Sequence, residues 1–123
     1  MITGIGTDIV SIERFGKALE RVAERCFTPA ELAYAEKSHH KLEHLAGRWA
    51  AKEALAKALG CGFGEKCSWQ DIEILNDSSG RPVMTLSGCA LQTCHELGGV
   101  CWHVSISHEK DYATAFVIIE GEK

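Results

Sequence analysis

Asp8, in the run Gly4-Ile5-Gly6-Thr7-Asp8-Ile9-Val10, and Glu53, in Trp49-Ala50-Ala51-Lys52-Glu53-Ala54-Leu55-Ala56-Lys57, are lone carboxylates among small or apolar neighbours. A strand favours branched, uncharged residues, so an acid inside one needs a partner, a cation or water. Two such acids offer hard oxygen ligands. These suit a magnesium ion that keeps several waters and takes the rest of its shell from a phosphorylated substrate. Lys57, one helical turn beyond Glu53, is within reach of a phosphate on the same helix face. Together they make a set for phosphoryl-type transfer, where positioning and charge neutralisation do most of the catalysis. A plainer reading stands beside it: an ordinary Glu53/Lys57 pair at i, i+4, worth about 0.3 to 0.5 kcal/mol when exposed. Partial burial would favour chemistry, because desolvation costs several kcal/mol per ion.

The elements that must position these residues follow from periodicity. Residues 2 to 12 read as a strand, followed directly by a helix. On that helix Phe15, Leu19, Val22 and Cys26 share the core stripe, Glu13, Glu20 and Glu24 form a flank, and Arg14, Lys17, Arg21 and Arg25 align in a basic row. A solvated face explains such a row, but segregation into one sign points to an acidic partner surface. Thr28-Pro29-Ala30-Glu31 starts a helix with a capping box and runs to about Lys37. The longest helix spans Lys41 to Leu59 and is ended by Gly60, and it places Ala46, Trp49, Ala50, Glu53 and Lys57 within one sector of about 100°. Ser68 to Asn76 reads as a strand, turned by Asp77-Ser78-Ser79-Gly80 into Arg81 to Leu86. Ser87 caps a helix ending at Gly98-Gly99, and Val100 to His108 and Tyr112 to Glu120 close the chain as two strands. The order predicts an α+β fold with a largely antiparallel sheet packed with a long helix.

With 123 residues, 46% hydrophobic and 24% charged, the chain fits one domain over residues 1–123. No repeat, low-complexity tract, signal peptide or bilayer-length apolar run is present, which predicts a cytoplasmic protein with no membrane partner. A net charge of −4 argues against nucleic acid. Six cysteines (Cys26, Cys61, Cys67, Cys89, Cys94, Cys101) are read as free thiols serving as small hydrophobes.

Other motifs carry less. Gly60-Cys61-Gly62-Phe63-Gly64 follows a helix instead of linking a strand to a helix N-terminus, so it reads as a helix stop. His108, ending Val104-Ser105-Ile106-Ser107-His108, is an isolated histidine, and such a residue is more often structural than catalytic. No Cys-x-x-Cys occurs. His40 with His44, Cys94-His95 and Cys101-x-His103 match no standard zinc pattern.

Taken together, Gly6-Thr7-Asp8-Ile9-Val10 with Arg14, Trp49-Ala-Ala-Lys-Glu53-Ala-x-x-Lys57-Ala-Leu-Gly60, and Ser105-Ile-Ser107-His108 followed by Ala113-x-Ala115-x-Val117-Ile118 resemble the holo-acyl-carrier-protein synthase family. The blocks occur in the family's order and span essentially the whole chain. The resemblance implies a 4'-phosphopantetheinyl transferase-like fold and a small, typically homotrimeric enzyme with active sites at subunit interfaces. Its members move phosphopantetheine from coenzyme A to a serine of apo acyl carrier protein in fatty acid biosynthesis. Carried over by motif, Asp8 and Glu53 would hold Mg2+, Lys57 would neutralise the coenzyme A pyrophosphate, and His108 from the neighbouring subunit would lie near the coenzyme A phosphates. Acyl carrier proteins are acidic, so the row Arg14, Lys17, Arg21 and Arg25 becomes the expected carrier-protein-binding surface.

Two departures are visible. Trp49 stands where phenylalanine is common, which preserves an aromatic wall, and Cys61 where threonine is common, which removes a polar group from that loop. Two other classes stay open on the sequence: a non-catalytic module binding an acidic protein through its basic helix, and a structural metal protein using Cys and His. The acid pair argues against the first, since a pure binder has no use for it.

Overall fold

The computed structural model describes residues 1–122; Lys123, the last residue of the expected domain, lies outside the described residues. Strand β1 (Ile2–Ser11) runs straight into helix α1 (Ile12–Cys26), and Ser11 caps it by accepting the Arg14 N–H at 3.3 Å. Of the expected core stripe, α1 buries Phe15, Val22 and Cys26, Leu19 is only partly buried, and Ile12, expected in the strand, joins the buried face. Helix α2 (Pro29–Glu36) forms the predicted capping box between Thr28 and Glu31. Helix α3 (Lys41–Leu59) ends at Gly60, which adopts the left-handed conformation (φ 75°) that glycine reaches at least cost.

The second half departs from expectation in two places. Ser68 to Asp71 does not join the strand: Trp69–Asp71 form a 3-10 turn, and β2 covers only Ile72–Asn76. Trp69 stacks on Phe63 (centroids 3.6 Å apart) and on Trp49 (4.5 Å), so its side chain packs with distant aromatic partners. The cap of helix α4 (Gly88–Glu96) is the other departure. Ser87 makes no side-chain cap; the Asp71 carboxylate instead accepts the Ala90 N–H at 3.3 Å, so the cap arrives from another element.

The expected antiparallel sheet is realised as two. Strands β4 (Gly99–His108) and β5 (Tyr112–Gly121) join β1 in the order β1-β5-β4, while β2 pairs only with β3 (Pro82–Leu86). The Trp102 indole N–H donates to the Met84 carbonyl at 2.7 Å and ties the two sheets. The inward faces of β1, β4 and β5 lie on α3, whose Ala50, Ala51, Ala54 and Ala58 are buried with Ala115, Val117 and Ile119.

Helix and sheet approach this closely because two glycines let them. A Cβ on Gly6 would stand 1.9 Å from the Ala54 carbonyl oxygen, and one on Gly4 would stand 2.3 Å from that of Ala58. Strand alternation puts Gly4, Gly6 and Asp8 on the same face. The Gly-x-Gly-x-Asp spacing thus presses β1 onto α3 and delivers the carboxylate one step beyond the contact.

A buried ion pair sets the rotation of α3. Lys52 is fully buried and donates to Glu31 at 2.7 Å, to the Cys26 carbonyl at 2.7 Å and to the Trp69 carbonyl at 3.1 Å. Glu31 in turn accepts the backbone N–H groups of Thr28 and Ile74. Every polar atom of the pair is satisfied, which is the condition under which such a pair survives burial. With Lys52 held toward α2, the next residue, Glu53, is turned about 100° away, toward β1.

Candidate active site

Three of the residues singled out in the sequence meet where β1 crosses α3. The Lys57 ammonium donates to the Asp8 carboxylate at 3.0 Å and to the Thr7 carbonyl at 3.0 Å, with Asp8 largely covered and Lys57 about half exposed. Glu53, one turn earlier on α3, is half-buried. Burial first, and then the negative charge of Asp8, push its carboxyl above the usual carboxylate range, and Lys57 opposes them only in part. Among the described residues, two acids therefore share one partly desolvated corner with the cation of Lys57. Such a corner is under-neutralised, and hard oxygen donors in that state fit a divalent cation.

His108 lies elsewhere. It sits at the end of β4, paired with Ala113, and lines a cavity of about 340 Å³ with His44, Arg48, Asn76 and Pro82. In this chain Asp8 belongs to the β1 edge of the three-stranded sheet and His108 to the β4 edge, with β5 between them.

That cavity contains residues the sequence reading passed over. Arg48 is 5% exposed, donates to the Asn76 side-chain oxygen, and leaves its buried Nε without a partner. Burial pulls its pKa down from the usual guanidinium value, while Glu31 and Tyr34 oppose the fall. A guanidinium retains its charge through such shifts, so the cavity is lined by a fixed cation. His44, stacked on Tyr34 (centroids 4.9 Å apart), has its pKa lowered to about 4 by burial, Arg48 and His108, and is neutral near pH 7. An anionic group of phosphate type matches this lining. The available signal was Arg48 itself: an arginine in Leu45-Ala46-Gly47-Arg48 with no acid three or four residues away on either side.

The basic row lies where α1 periodicity put it. Arg14, Lys17, Arg21 and Arg25 are all exposed, and of these Lys17 is paired with an acid, Glu13 at 3.7 Å. The other histidines and cysteines raised by the sequence divide. His40 bonds Glu43 at 3.1 Å, Cys94 is buried in the core, and Cys101 and His103 lie together on the outer face of β4.

The family model for the 4'-phosphopantetheinyl transferase superfamily matches residues 4–117, and the chain belongs to that family. Within it, the chain is 46% identical over 125 residues to the holo-[acyl-carrier-protein] synthase of Solidesulfovibrio magneticus, covering 98% of this chain and 100% of that one. It is 47% identical over 125 residues to the protein of the same name from Clostridium tetani, covering 99% and 98%. Among solved structures, the holo-(acyl-carrier-protein) synthase of Bacillus anthracis in complex with CoA (3',5'-ADP) superposes with a TM-score of 0.84 at 40% identity, covering 99% of each chain. The holo-[acyl-carrier-protein] synthase of Neisseria meningitidis gives a TM-score of 0.87 at 36% identity, covering 98% of this chain and 99% of that one.

Proposed function

We propose that the protein is a cytoplasmic holo-[acyl-carrier-protein] synthase of fatty acid biosynthesis, transferring 4'-phosphopantetheine from coenzyme A to a serine of apo acyl carrier protein. The single observation that carries this reading is the meeting of Asp8, Glu53 and Lys57 at the β1–α3 contact, in a chain 46% identical to an enzyme of that name. The whole chain, residues 1–123, serves as one transferase domain. Its six cysteines are all free, in keeping with a reducing compartment.

In the reaction the serine Oγ forms a bond to the β-phosphorus of coenzyme A. The bond from that phosphorus to the bridging oxygen breaks, and adenosine 3',5'-bisphosphate leaves with the electron pair. Asp8 and Glu53 would hold Mg2+, their mutual repulsion being the feature that fits a cation. When bound, the ion would supply charge screening of the pyrophosphate and of the departing bisphosphate. Lys57, anchored on Asp8 and Thr7 and exposed on its outer side, adds a second fixed positive charge. The serine proton would pass to Glu53 or to solvent at the same corner. His108 and Arg48 offer donors to the phosphates at the other end of coenzyme A.

Two half-sites on opposite edges of one sheet call for a neighbouring subunit. The outer face of that sheet exposes Ile5 (59%), Ile9 (68%) and Phe116 (41%), an apolar surface suited to self-association. A homotrimer in which the β4 edge of one subunit, with His108, borders the β1 edge of the next would complete the site. The exposed row Arg14, Lys17, Arg21 and Arg25 would receive the acidic carrier.

The test is the intact mass of an apo acyl carrier protein after incubation with this protein, coenzyme A and magnesium. One added phosphopantetheine with the parent, and none with Glu53→Gln, is expected. No mass gain with any divalent metal, with carrier binding preserved, would replace the reading with a binding module. Light scattering on the same preparation checks assembly: a fully active monomer would rule out the composite site.

A further inference from the structure

At the far end of the outer sheet face three ligating side chains converge. Cys101 and His103 are two residues apart on β4 and so share a face, and Glu120 stands opposite Cys101 on β5. Their donor atoms lie within 4.8 Å of one another: Cys101 Sγ is 3.9 Å from His103 Nε2 and 3.9 Å from Glu120 Oε1, and His103 Nε2 is 2.6 Å from Glu120 Oε1. We propose that Cys101, His103 and Glu120 form a binding site for a borderline transition-metal ion of the zinc type, separate from the site at Asp8 and Glu53.

Three features support it. The first is donor chemistry. Thiolate, imidazole and carboxylate are the ligand types zinc takes, and three protein ligands leave a fourth position for water or an outside group. The second is distance. At ordinary zinc–ligand lengths, tetrahedral geometry sets donors apart by about 3.4 Å for N and O, and by about 3.6 Å for S and N. The two sulfur edges are already close to this. Only the His103–Glu120 edge must open, by about 0.8 Å, and both side chains are exposed enough to rotate (59% and 43%). Zinc takes thiolate and imidazole in their deprotonated forms, so binding releases any proton these groups carry.

The third feature is backbone construction. The β4–β5 register shifts between Gly99 and Cys101: Gly99 faces Gly121, yet Cys101 faces Glu120. Val100 is the extra residue. Without that bulge Cys101 would face Ile119 and point into the core, so the bulge is what re-aims the thiol outward beside Glu120. The site lies on the opposite face of the sheet from Asp8. Ala115, the partner of Asp8, is five residues from Glu120, roughly 16 Å along the strand.

The test is calorimetric titration of the reduced, chelator-stripped full chain with Zn2+ in saturating magnesium, repeated with Co2+ followed by absorption. One zinc per chain is expected, with a sulfur-to-cobalt charge-transfer band in the near ultraviolet. Cys101→Ser and His103→Ala, both exposed positions, should each weaken binding roughly tenfold or more. Cys89→Ser, on α4, should leave it unchanged. Zinc affinity in the Cys101→Ser/His103→Ala double variant equal to the parent's, or a cobalt complex with no thiolate band, would overturn the proposal. So would binding that Cys89→Ser abolishes, which would assign the metal to thiols elsewhere in the chain.

Discussion

In Gly6→Ala the added Cβ stands 1.9 Å from the Ala54 carbonyl oxygen, whereas real Cβ atoms essentially never come within 3.0 Å of such a neighbour. Strand and helix must therefore part by about 1.1 Å, and no side chain can yield instead, because the obstructing atom is backbone. Overpacking of this kind costs about 1 to 3 kcal/mol. For a chain of 123 residues that corresponds to a fall in Tm of about 4 to 12 °C. The larger effect falls on chemistry. The Lys57–Asp8 contact of 3.0 Å is made across the same junction, and a misplacement near 1 Å at a reacting site costs roughly 100-fold. The assay pairs thermal unfolding with kcat/KM for carrier modification, and Gly16→Ala serves as the contrast. There the new methyl meets only the flexible end of Leu42, at 3.1 Å, within a helix that favours alanine over glycine by about 1 kcal/mol. Gly6→Ala is expected to lose activity out of proportion to its loss of stability, and Gly16→Ala to lose no stability. Near-parental kcat/KM in Gly6→Ala would refute the claim that this contact sets the site.

Three further outcomes follow from the same geometry. Lys52→Met strands the buried Glu31 carboxylate, which should cost about 3 to 5 kcal/mol, or about 12 to 20 °C in Tm, and the double variant Glu31→Gln/Lys52→Met should recover part of it in chemical denaturation. Because the folded state raises the Glu53 carboxyl, it holds that proton longer than the unfolded chain does. Metal-free parent protein should thus lose stability as pH rises from the ordinary carboxylate value through the raised one, and the stability advantage of Glu53→Gln should grow between pH 4 and pH 8; a difference flat in pH would contradict a raised Glu53 carboxyl. Arg14→Glu/Arg21→Glu should weaken carrier binding roughly tenfold or more at low ionic strength and blunt its salt dependence, while coenzyme A binding, read by calorimetry, stays near parental.

Local rules sufficed for much of the chain. The capping box at Thr28 and Glu31, the glycine stop at Gly60, the amphipathic face of α1 and the acid misplaced in a strand at Asp8 are all one-dimensional signals, because each depends on neighbours within a turn or on a period of two or 3.6. The motif residues Asp8, Glu53 and Lys57 were legible for the same reason. What required the folded molecule was everything set by distant partners. Trp69 left its strand for Phe63 and Trp49, Asp71 replaced Ser87 as the cap of α4, and Lys52 found Glu31 on another helix. Arg48 became a cavity cation through burial against Asn76, and a one-residue bulge turned Cys101 toward Glu120. Sequence periodicity states which face of an element is apolar; it does not state which polar groups from other elements meet there, because those contacts are decided by the packing of elements that lie far apart in the chain.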